Sequence, residues 1–172
     1  LVLVFEGTGL NESLVGKYGF YDTGIKQFVE LYKNNVKNGI SVYYFKNGQK
    51  EFEGNYKDGK VNGLWTTWFE NGKKKSKGTL KDGKHDGLWT FWYEDGQKVL
   101  EETYIAGEED GLSIEWYKNG NKRFEKNYKK GKENGLRISW NENGDKLYEE
   151  KIVDGIVSEL VFINRKIFLK QE

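Results

Sequence analysis

Leu64-Trp-Thr-Thr-Trp-Phe-Glu-Asn-Gly72 opens the clearest of several 24-residue units that follow one another along the chain. The unit continues through residues 73–80 and ends with Lys81-Asp-Gly-Lys-His-Asp-Gly87. Three series of glycines keep this 24-residue spacing, and one of them contains Gly39, Gly63, Gly87, Gly111 and Gly135. Such self-similarity is the sequence signature of a repeat architecture. Six units are indicated, and they begin at Gly16, Ile40, Leu64, Leu88, Leu112 and Leu136.

Each unit is predicted to contain two β-strands joined by a tight turn. Asn or Asp followed by Gly recurs at one position of the unit, and these residues tolerate the positive φ angles that hairpin turns require. The pairs are Asn47-Gly48, Asn71-Gly72, Asp95-Gly96, Asn119-Gly120 and Asn143-Gly144. Seven residues, such as 81–87, are predicted to form a wider return turn to the next unit. No stretch has helical periodicity over three turns, so the chain is predicted to be all-β.

The spacing of the apolar residues also predicts the register of each hairpin. It favours a three-residue loop, in which a turn is followed by Gly as a bulge. This loop pairs Trp68 with Lys74 and is expected to place Trp68, Ser76 and Leu80 on one side of the sheet. That side is predicted to be the packing face, because the Trp68 position is aromatic in every unit: Phe20, Tyr44, Trp68, Trp92, Trp116 and Trp140.

The composition argues against several classes of function. The 172 residues carry 28 basic and 27 acidic side chains, and a net charge of +1 lacks the basic excess that nucleic-acid binding needs. The sequence has no apolar run long enough for a transmembrane helix, and no cysteine for disulfides, thiol catalysis or thiolate metal sites. His85 is the only histidine and lies in a predicted turn. We therefore expect no catalytic residues, no metal and no cofactor.

The recurrent pattern Gly-Leu-Trp-x-x-Trp-Tyr/Phe-x-Asn/Asp-Gly-x-Lys, followed by Tyr-x-x-Gly-Lys, resembles the MORN repeat. The 24-residue spacing is similar to that of its bacterial variant, found in antitoxin-like proteins. The resemblance covers residues 16–159 and leaves an N-terminal capping strand at residues 1–15 and a C-terminal cap at residues 160–172, with a hairpin expected at Asn164-Arg165. It implies an elongated, single-layer antiparallel sheet of tandem β-hairpins. It also implies a non-enzymatic scaffold or binding function, directed at proteins, toxins or membranes.

A second set of aromatic residues is expected on the side opposite Trp68, concentrated in the middle units. A single-layer sheet has no second layer to cover this set, and an open aromatic patch commonly marks an interaction site. Lys73, Lys75 and Lys77 are expected to project from the same side. We therefore predict that a protein partner binds to these lysines and to Tyr43, Trp65, Phe69, Trp89, Phe91, Tyr93 and Tyr117.

Several alternatives are open on the sequence alone. The aromatic rings could instead brace the sheet or be shielded by lysine stems. An antitoxin or immunity protein would neutralise a toxin in the cytoplasm, whereas a secreted or cell-envelope protein would contact a host or envelope component. Carbohydrate or cell-wall binding is a further alternative, since aromatic faces stack on glycans. The lysines could also meet an anionic lipid head group, and open sheet edges would permit a dimer.

Overall fold

A computed structural model describes residues 2–9 and 12–163. The regular secondary structure of these described residues consists of β-strands alone, which confirms the all-β prediction. The strands are β1 (Val2–Gly9), β2 (Glu12–Phe20), β3 (Lys26–Lys33), β4 (Val36–Tyr44), β5 (Lys50–Lys57), β6 (Lys60–Trp68), β7 (Lys74–Lys81), β8 (Lys84–Trp92), β9 (Lys98–Ile105), β10 (Glu108–Trp116), β11 (Lys122–Lys129), β12 (Lys132–Glu133), β13 (Gly135–Trp140), β14 (Lys146–Val153) and β15 (Ile156–Ile163).

The chain divides into two compact units, each built from antiparallel strands in a single sheet. The first unit contains β1–β7 in chain order, and residues Glu94–Gly96 group with it. The second unit contains β8 from Asp86 onwards and β9–β15, with β12 and β13 both paired to β11. Strands within a unit contact chiefly their neighbours in sequence, so each sheet is a single layer.

The predicted caps at the two ends of the array can be compared with β1 and β15. β1 is the predicted N-terminal strand, and it pairs with β2. β15 runs across the boundary that was predicted at residue 160. The hairpin predicted at Asn164-Arg165 lies outside the described residues.

The return turns are shorter than predicted. Lys57 pairs with Lys60, so only Asp58 and Gly59 form the turn, with φ angles of 50° and 80°. Two consecutive positive φ angles are the geometry that joins tightly twisted antiparallel strands. The seven-residue return turn at residues 81–87 is therefore wrong, because β7 ends at Lys81 and β8 begins at Lys84.

The hairpin loops have the predicted form. In the loop of residues 70–72, the Gly72 N–H donates to the Phe69 carbonyl at 2.9 Å, and the Phe69 N–H donates to the Lys73 carbonyl at 2.9 Å. Gly72 has a φ of 80°, as expected for the glycine of a three-residue loop. The predicted pairing of Trp68 with Lys74 is confirmed.

A β-bulge follows each hairpin loop, and it moves every later side chain of the second strand to the face opposite the predicted one. After the Trp68–Lys74 pair the register shifts by one residue, so Thr67 pairs with Ser76 and Trp65 with Gly78. Directly opposed residues of antiparallel strands lie on the same side of the sheet. Ser76 therefore shares a side with Trp65 rather than with Trp68, and the predicted division of the two faces is wrong. The same one-residue shift occurs where β2, β4, β8, β10 and β13 each pair with the strand that follows them.

Each sheet consequently has an aromatic face and a leucine face. In the first unit the aromatic face carries Tyr43, Phe52 and Trp65, whereas the leucine face carries Leu64 and Trp68. In the second unit the aromatic face carries Trp89, Phe91, Leu100, Phe124 and Tyr148. Its leucine face carries Leu88, Trp92, Leu112, Trp116, Leu136 and Trp140.

The aromatic face of the first unit is packed by a ladder of stacked rings. Centroid distances are 5.6 Å from Phe28 to Tyr43, 4.4 Å from Tyr43 to Phe52 and 4.9 Å from Phe52 to Trp65. The indole of Trp65 lies over Gly54, where a Cβ atom would come within 2.2 Å of the ring carbon Cε3. Glycine at position 54 therefore leaves the space into which this ring packs.

The aromatic face of the second unit is also packed. Trp89 is only 3% exposed, and its ring centroid lies 6.0 Å from that of Phe91. Ile152, opposite Gly135 and Val157, is 1% exposed. Burying side chains of this size stabilises a fold by roughly 1.5–3 kcal/mol each. Trp89 and Ile152 are thus buried on the aromatic face of the second unit, whereas Val42, opposite Glu53, is buried on the leucine face of the first unit.

Candidate protein-interaction surface

The residues predicted to bind a partner lie mainly on the packed side of the sheets. Trp89 is buried, while Tyr43, Trp65, Phe69, Phe91, Tyr93 and Tyr117 are half-buried. Trp65 stacks on Phe52, and Trp89 stacks on Phe91. Direct contact with a partner would reach the edges of the half-buried rings but not Trp89.

Tyr43 belongs to a hydrogen-bonded network around one buried carboxylate. Glu30 is 5% exposed and accepts hydrogen bonds from Lys37, Tyr43 and Tyr32, the last at 2.7 Å. Burial raises the pKa of Glu30, but the hydrogen bonds from Lys37 and the two hydroxyls outweigh it and hold the pKa below its usual value. Burial and the hydrogen bond to Glu30 raise the pKa of Tyr32 to about 12. The Tyr43 hydroxyl is thus satisfied within the sheet.

Tyr93 and Tyr117 connect one repeat to the next. The Tyr93 hydroxyl donates to the Trp116 carbonyl at 3.2 Å, and the Tyr117 hydroxyl donates to the Trp140 carbonyl at 3.0 Å. Tyr21 makes the same bond to the Tyr44 carbonyl at 2.7 Å. These tyrosines therefore have a structural role in the array, which their recurrence 24 residues apart could have indicated.

The three predicted lysines do not share one surface. Lys73 Nζ donates to the Asp95 carbonyl at 2.6 Å, within the first unit. Lys75 Nζ lies 5.8 Å from the centroid of the Phe69 ring. Lys77 is directly opposite Thr66 and so lies on the leucine face. The expectation that all three flank the aromatic cluster is wrong for Lys77, because of the bulge between the loop and the rest of β7.

The leucine faces carry exposed leucines, although Val42, Thr66 and Thr90 on these faces are buried. Leu64 in the first unit is 49% exposed. In the second unit Leu88, Leu112 and Leu136 are 57%, 42% and 43% exposed. The tryptophans of these faces, Trp68, Trp92, Trp116 and Trp140, are half-buried. Sequence reasoning missed this surface, although the leucine at the start of four units was a signal for it.

Lysine–glutamate pairs accompany the tryptophans of the leucine faces. Lys98 is 2.5 Å from Glu101, Lys122 is 2.6 Å from Glu125 and Lys146 is 2.7 Å from Glu149. Lys50 pairs with Glu53 in the first unit. Lys50, Lys98 and Lys122 lie 5.5–5.6 Å from the ring centroids of Trp68, Trp116 and Trp140. A cation at this distance is attracted to the ring face and partly covers it.

Two repeats depart from this pattern, one with Val29 three residues after Lys26 and one with a second lysine. Lys74 occupies the position of Lys50, Lys98, Lys122 and Lys146, but the residue three places later is Lys77 instead of glutamate. Neither lysine has an ion-pair partner among the side chains of residues 15–161. Both side chains are exposed.

Acidic and tyrosine side chains gather on the aromatic face of the second unit. The Tyr104 hydroxyl donates to Glu102 at 2.5 Å, and Lys126 is 3.3 Å from Glu133. Burial and the neighbouring Glu102 raise the pKa of Glu109. In the described part of the chain, no group of three or more His, Cys, Asp or Glu residues is arranged to hold a metal ion. The arrangement is that of a structural charge network.

A shallow pocket of about 290 Å³ lies beside this network. Leu100, Ser113 and Phe124 form part of its lining, and Ser113 occupies the repeat position of Trp89. Its charged lining groups already have partners within the unit, since Lys126 pairs with Glu133 and Glu115 pairs with Arg123 at 2.6 Å. Glu102, the remaining charged group of the lining, accepts a hydrogen bond from the Tyr104 hydroxyl at 2.5 Å.

Comparison with known protein families gives one match over four stretches of the chain. The profile described as MORN repeat variant matches residues 37–58, 61–82, 86–106 and 109–130, which together make up just over half of the sequence. No curated protein matches the chain. Across residues 2–9 and 12–163, the structure contains no helix with the length and apolar character to cross a membrane.

Proposed function

Because the chain belongs to the family of MORN repeat variants, we propose that it is a non-enzymatic protein-interaction module that binds its partner through the leucine faces. The observation that carries this proposal is that leucines of each unit, Leu64 in the first and Leu88, Leu112 and Leu136 in the second, are 42–57% exposed. Exposed apolar side chains that form a patch commonly mark interaction surfaces.

The spacing of the leucines supports repeated contacts with one partner. In the second unit, Leu112 lies on β10 and Leu136 on β13, with β11 between them. Two strand spacings separate such positions by about 10 Å. Each leucine that a partner covers would contribute up to roughly 1.5–3 kcal/mol, less the part already buried. Neighbouring tryptophans add the aromatic surface that is enriched at interface hot spots.

The proposal is tested by placing a photo-cross-linking residue at Leu112, identifying the attached protein by mass spectrometry and then measuring its binding in purified form. We expect Leu112→Glu with Leu136→Glu to weaken that binding at least about tenfold, because two charges would be buried without partners. The matched control is Lys118→Glu, which makes the same change in net charge at an exposed loop residue. Undiminished binding by the double variant, with the fold intact by circular dichroism, would refute the proposal.

A competing proposal is that the partner contacts the half-buried residues of the aromatic faces, as the sequence predicted. Phe91→Ser addresses it, since Phe91 lies on the aromatic face, opposite Leu100. Loss of binding in Phe91→Ser alone, with stability unchanged, would transfer the contact from the leucine face to the aromatic face. An antitoxin or immunity role would be one form of such protein binding, and rescue of cells from a co-expressed toxin would be its readout.

Carbohydrate binding is less well supported than protein binding. Sugar rings stack on open aromatic faces, whereas Lys50, Lys98 and Lys122 lie over Trp68, Trp116 and Trp140. A glycan would have to displace these lysines from their paired glutamates as well as from the rings. Quenching of tryptophan fluorescence by a glycan would favour carbohydrate binding over protein binding.

A further inference from the structure

We propose that the leucine face of the first unit binds an acidic segment of a partner protein that also carries apolar side chains. The surface is the lysine patch, which we define as Leu64, Trp68, Lys74 and Lys77 on β6 and β7. This inference rests on the proposed protein-interaction function and specifies the chemistry of the partner.

The charge of the patch is the first reason. Four repeats carry a lysine and a glutamate three residues apart, and each of these pairs forms an ion pair on the leucine face. In the lysine patch the glutamate is replaced by Lys77, so a neutral pair becomes a doubly positive one. Within the first unit, the carboxylate in the same row is Glu53, opposite Thr66, and it is already paired with Lys50. Both lysines are therefore available to pair with acidic side chains of a partner.

The position of the two lysines is the second reason. The repeats with glutamate show that side chains at these two positions come within ion-pairing distance of each other, as Lys98 and Glu101 do at 2.5 Å. Like charges placed so close repel each other, and a carboxylate between them would relieve the repulsion. The sheet thus places Lys74 and Lys77 at two positions from which both side chains can reach one acidic side chain.

The apolar neighbours are the third reason. Leu64, 49% exposed, lies opposite Thr79, and Trp68 lies directly opposite Lys74. A bound segment would therefore bury an apolar side chain against Leu64, beside the Trp68 ring that Lys50 partly covers, while its carboxylates reach Lys74 and Lys77. This combination of contacts selects a protein segment with acidic and apolar residues.

The weak field around the patch disfavours a membrane or a nucleic acid. The whole chain has a net charge of +1, and the adjoining Lys50–Glu53 pair is neutral. Adsorption to anionic lipid gains only about 1 kcal/mol for each basic residue near the surface, and nucleic-acid binding requires many phosphate contacts. Two lysines beside a leucine are sufficient for a short-range peptide contact but not for either of these polyanions.

The test uses a fluorescent, glutamate-rich peptide containing leucines, with fluorescence anisotropy as the readout. Wild-type protein is expected to bind this peptide. Binding should weaken when the glutamates of the peptide are replaced by glutamine, when its leucines are replaced by serine, or when salt is added. Lys77→Glu should weaken binding about tenfold, because it both removes a cation and supplies an internal partner for Lys74. This variant restores the lysine–glutamate pair of the other repeats, so the fold is expected to be retained.

A reciprocal variant provides the matched control. Glu125 lies opposite Ile114 and pairs with Lys122, in the same arrangement as Lys77 opposite Thr66 beside Lys74. Glu125→Lys should create a second patch and increase the amount of peptide bound. Equal binding by wild type and Lys77→Glu, no gain from Glu125→Lys, or no binding by wild type would each overturn the inference. So would Lys77-dependent binding to phosphatidylserine vesicles without binding to the peptide.

The two proposals fail in different ways. If Leu112→Glu with Leu136→Glu loses the cross-linked partner while Lys77→Glu binds the peptide normally, only the lysine patch is disproved. If the leucine variant keeps its partner while peptide binding depends on Lys77, the proposed contact surface of the second unit is disproved instead.

Discussion

On the aromatic faces, the size of the residue at one strand position affects which side chain can pack opposite it. Gly54 lies directly opposite Trp65, and the ring occupies the space that a side chain at position 54 would fill. At the corresponding position β9 has Glu102, which lies opposite Trp89 on one side and Ser113 on the other. The same strand position therefore supplies space in one repeat and charge in another.

Glu109 makes the stability of the second unit depend on pH. Burial raises its pKa, as do the charges of Glu102 and Glu133, whereas Lys126 lowers it. A carboxyl group whose pKa is higher in the folded state stabilises the fold below its unfolded pKa. This contribution is lost as the pH rises through the folded-state pKa.

We therefore expect Glu109→Gln to be more stable than wild type at neutral pH and to gain little at acidic pH. The amide cannot ionise, so the repulsion from Glu102 and Glu133 is removed where the wild-type carboxyl would be charged. Urea unfolding of both proteins on either side of the carboxyl titration range gives the comparison. Glu133→Gln, which leaves Arg137 without one of its partners, serves as a contrasting variant. A stability difference that does not change with pH would contradict this assignment.

At the level of strands and turns, one asparagine has two functions. The Asn71 side-chain oxygen accepts a hydrogen bond from the Lys73 N–H at 2.9 Å, which shapes its own turn. Its amide nitrogen donates to the Glu94 carbonyl at 2.9 Å, which connects this turn to the next one along the first unit. Asn47 and Asn119 make the same two kinds of bond.

Asn71→Asp separates the two functions, because aspartate can accept the first hydrogen bond but cannot donate the second. We expect it to destabilise the protein by about 0.5–1.5 kcal/mol, the usual net contribution of one hydrogen bond. Asn71→Ala, which loses both bonds, should be destabilised further. Thermal unfolding measured by circular dichroism provides the test, and an aspartate variant as stable as wild type would show that the connection to Glu94 contributes nothing.

The sequence predicted the hairpins but not which residues share a face. Asn71-Gly72 has a conformational requirement that can be recognised from residue type, and the loop and the Trp68–Lys74 pair were predicted correctly. The bulge that follows has no such signature, since it occurs among Lys74 and Lys75, which are compatible with regular strand. One extra residue reverses every later side chain, so the identity of the aromatic residues was predictable while their burial was not. The exposed leucines were missed for the same reason.

At the scale of the whole molecule, each unit derives its stability from neighbouring strands in series. In repeat architectures of this kind, stability is a sum of local terms and contacts between adjacent repeats. The return turns contribute to those contacts: the Gly59 N–H donates to the Lys37 carbonyl at 2.9 Å, and the Gly131 N–H donates to the Glu109 carbonyl at 2.8 Å. Opening of the second unit is therefore expected to be local rather than uniform.

We expect amide hydrogen exchange to be faster in β15 than in β10. Residues 153–161 are all exposed, including Ile156 at 72%, whereas β10 is paired on both sides and includes the buried Ser113. Strands with few buried contacts open at lower free energy than central strands. Exchange followed by mass spectrometry on peptides from the two strands makes the comparison. Equal protection of β10 and β15 would indicate that the second unit opens as one cooperative block.

The hydrogen bonds from Tyr93 to Trp116 and from Tyr117 to Trp140 both span 23 residues, and they constrain how such a chain can change length during evolution. Gain or loss of a complete 24-residue module leaves every hydroxyl facing a carbonyl in the adjoining copy. A single-residue insertion within a module would displace the acceptor from the donor and turn the strand over at the same time. Gene variants that arise by slippage in whole modules should therefore survive selection, while frame-preserving insertions of other lengths should be eliminated.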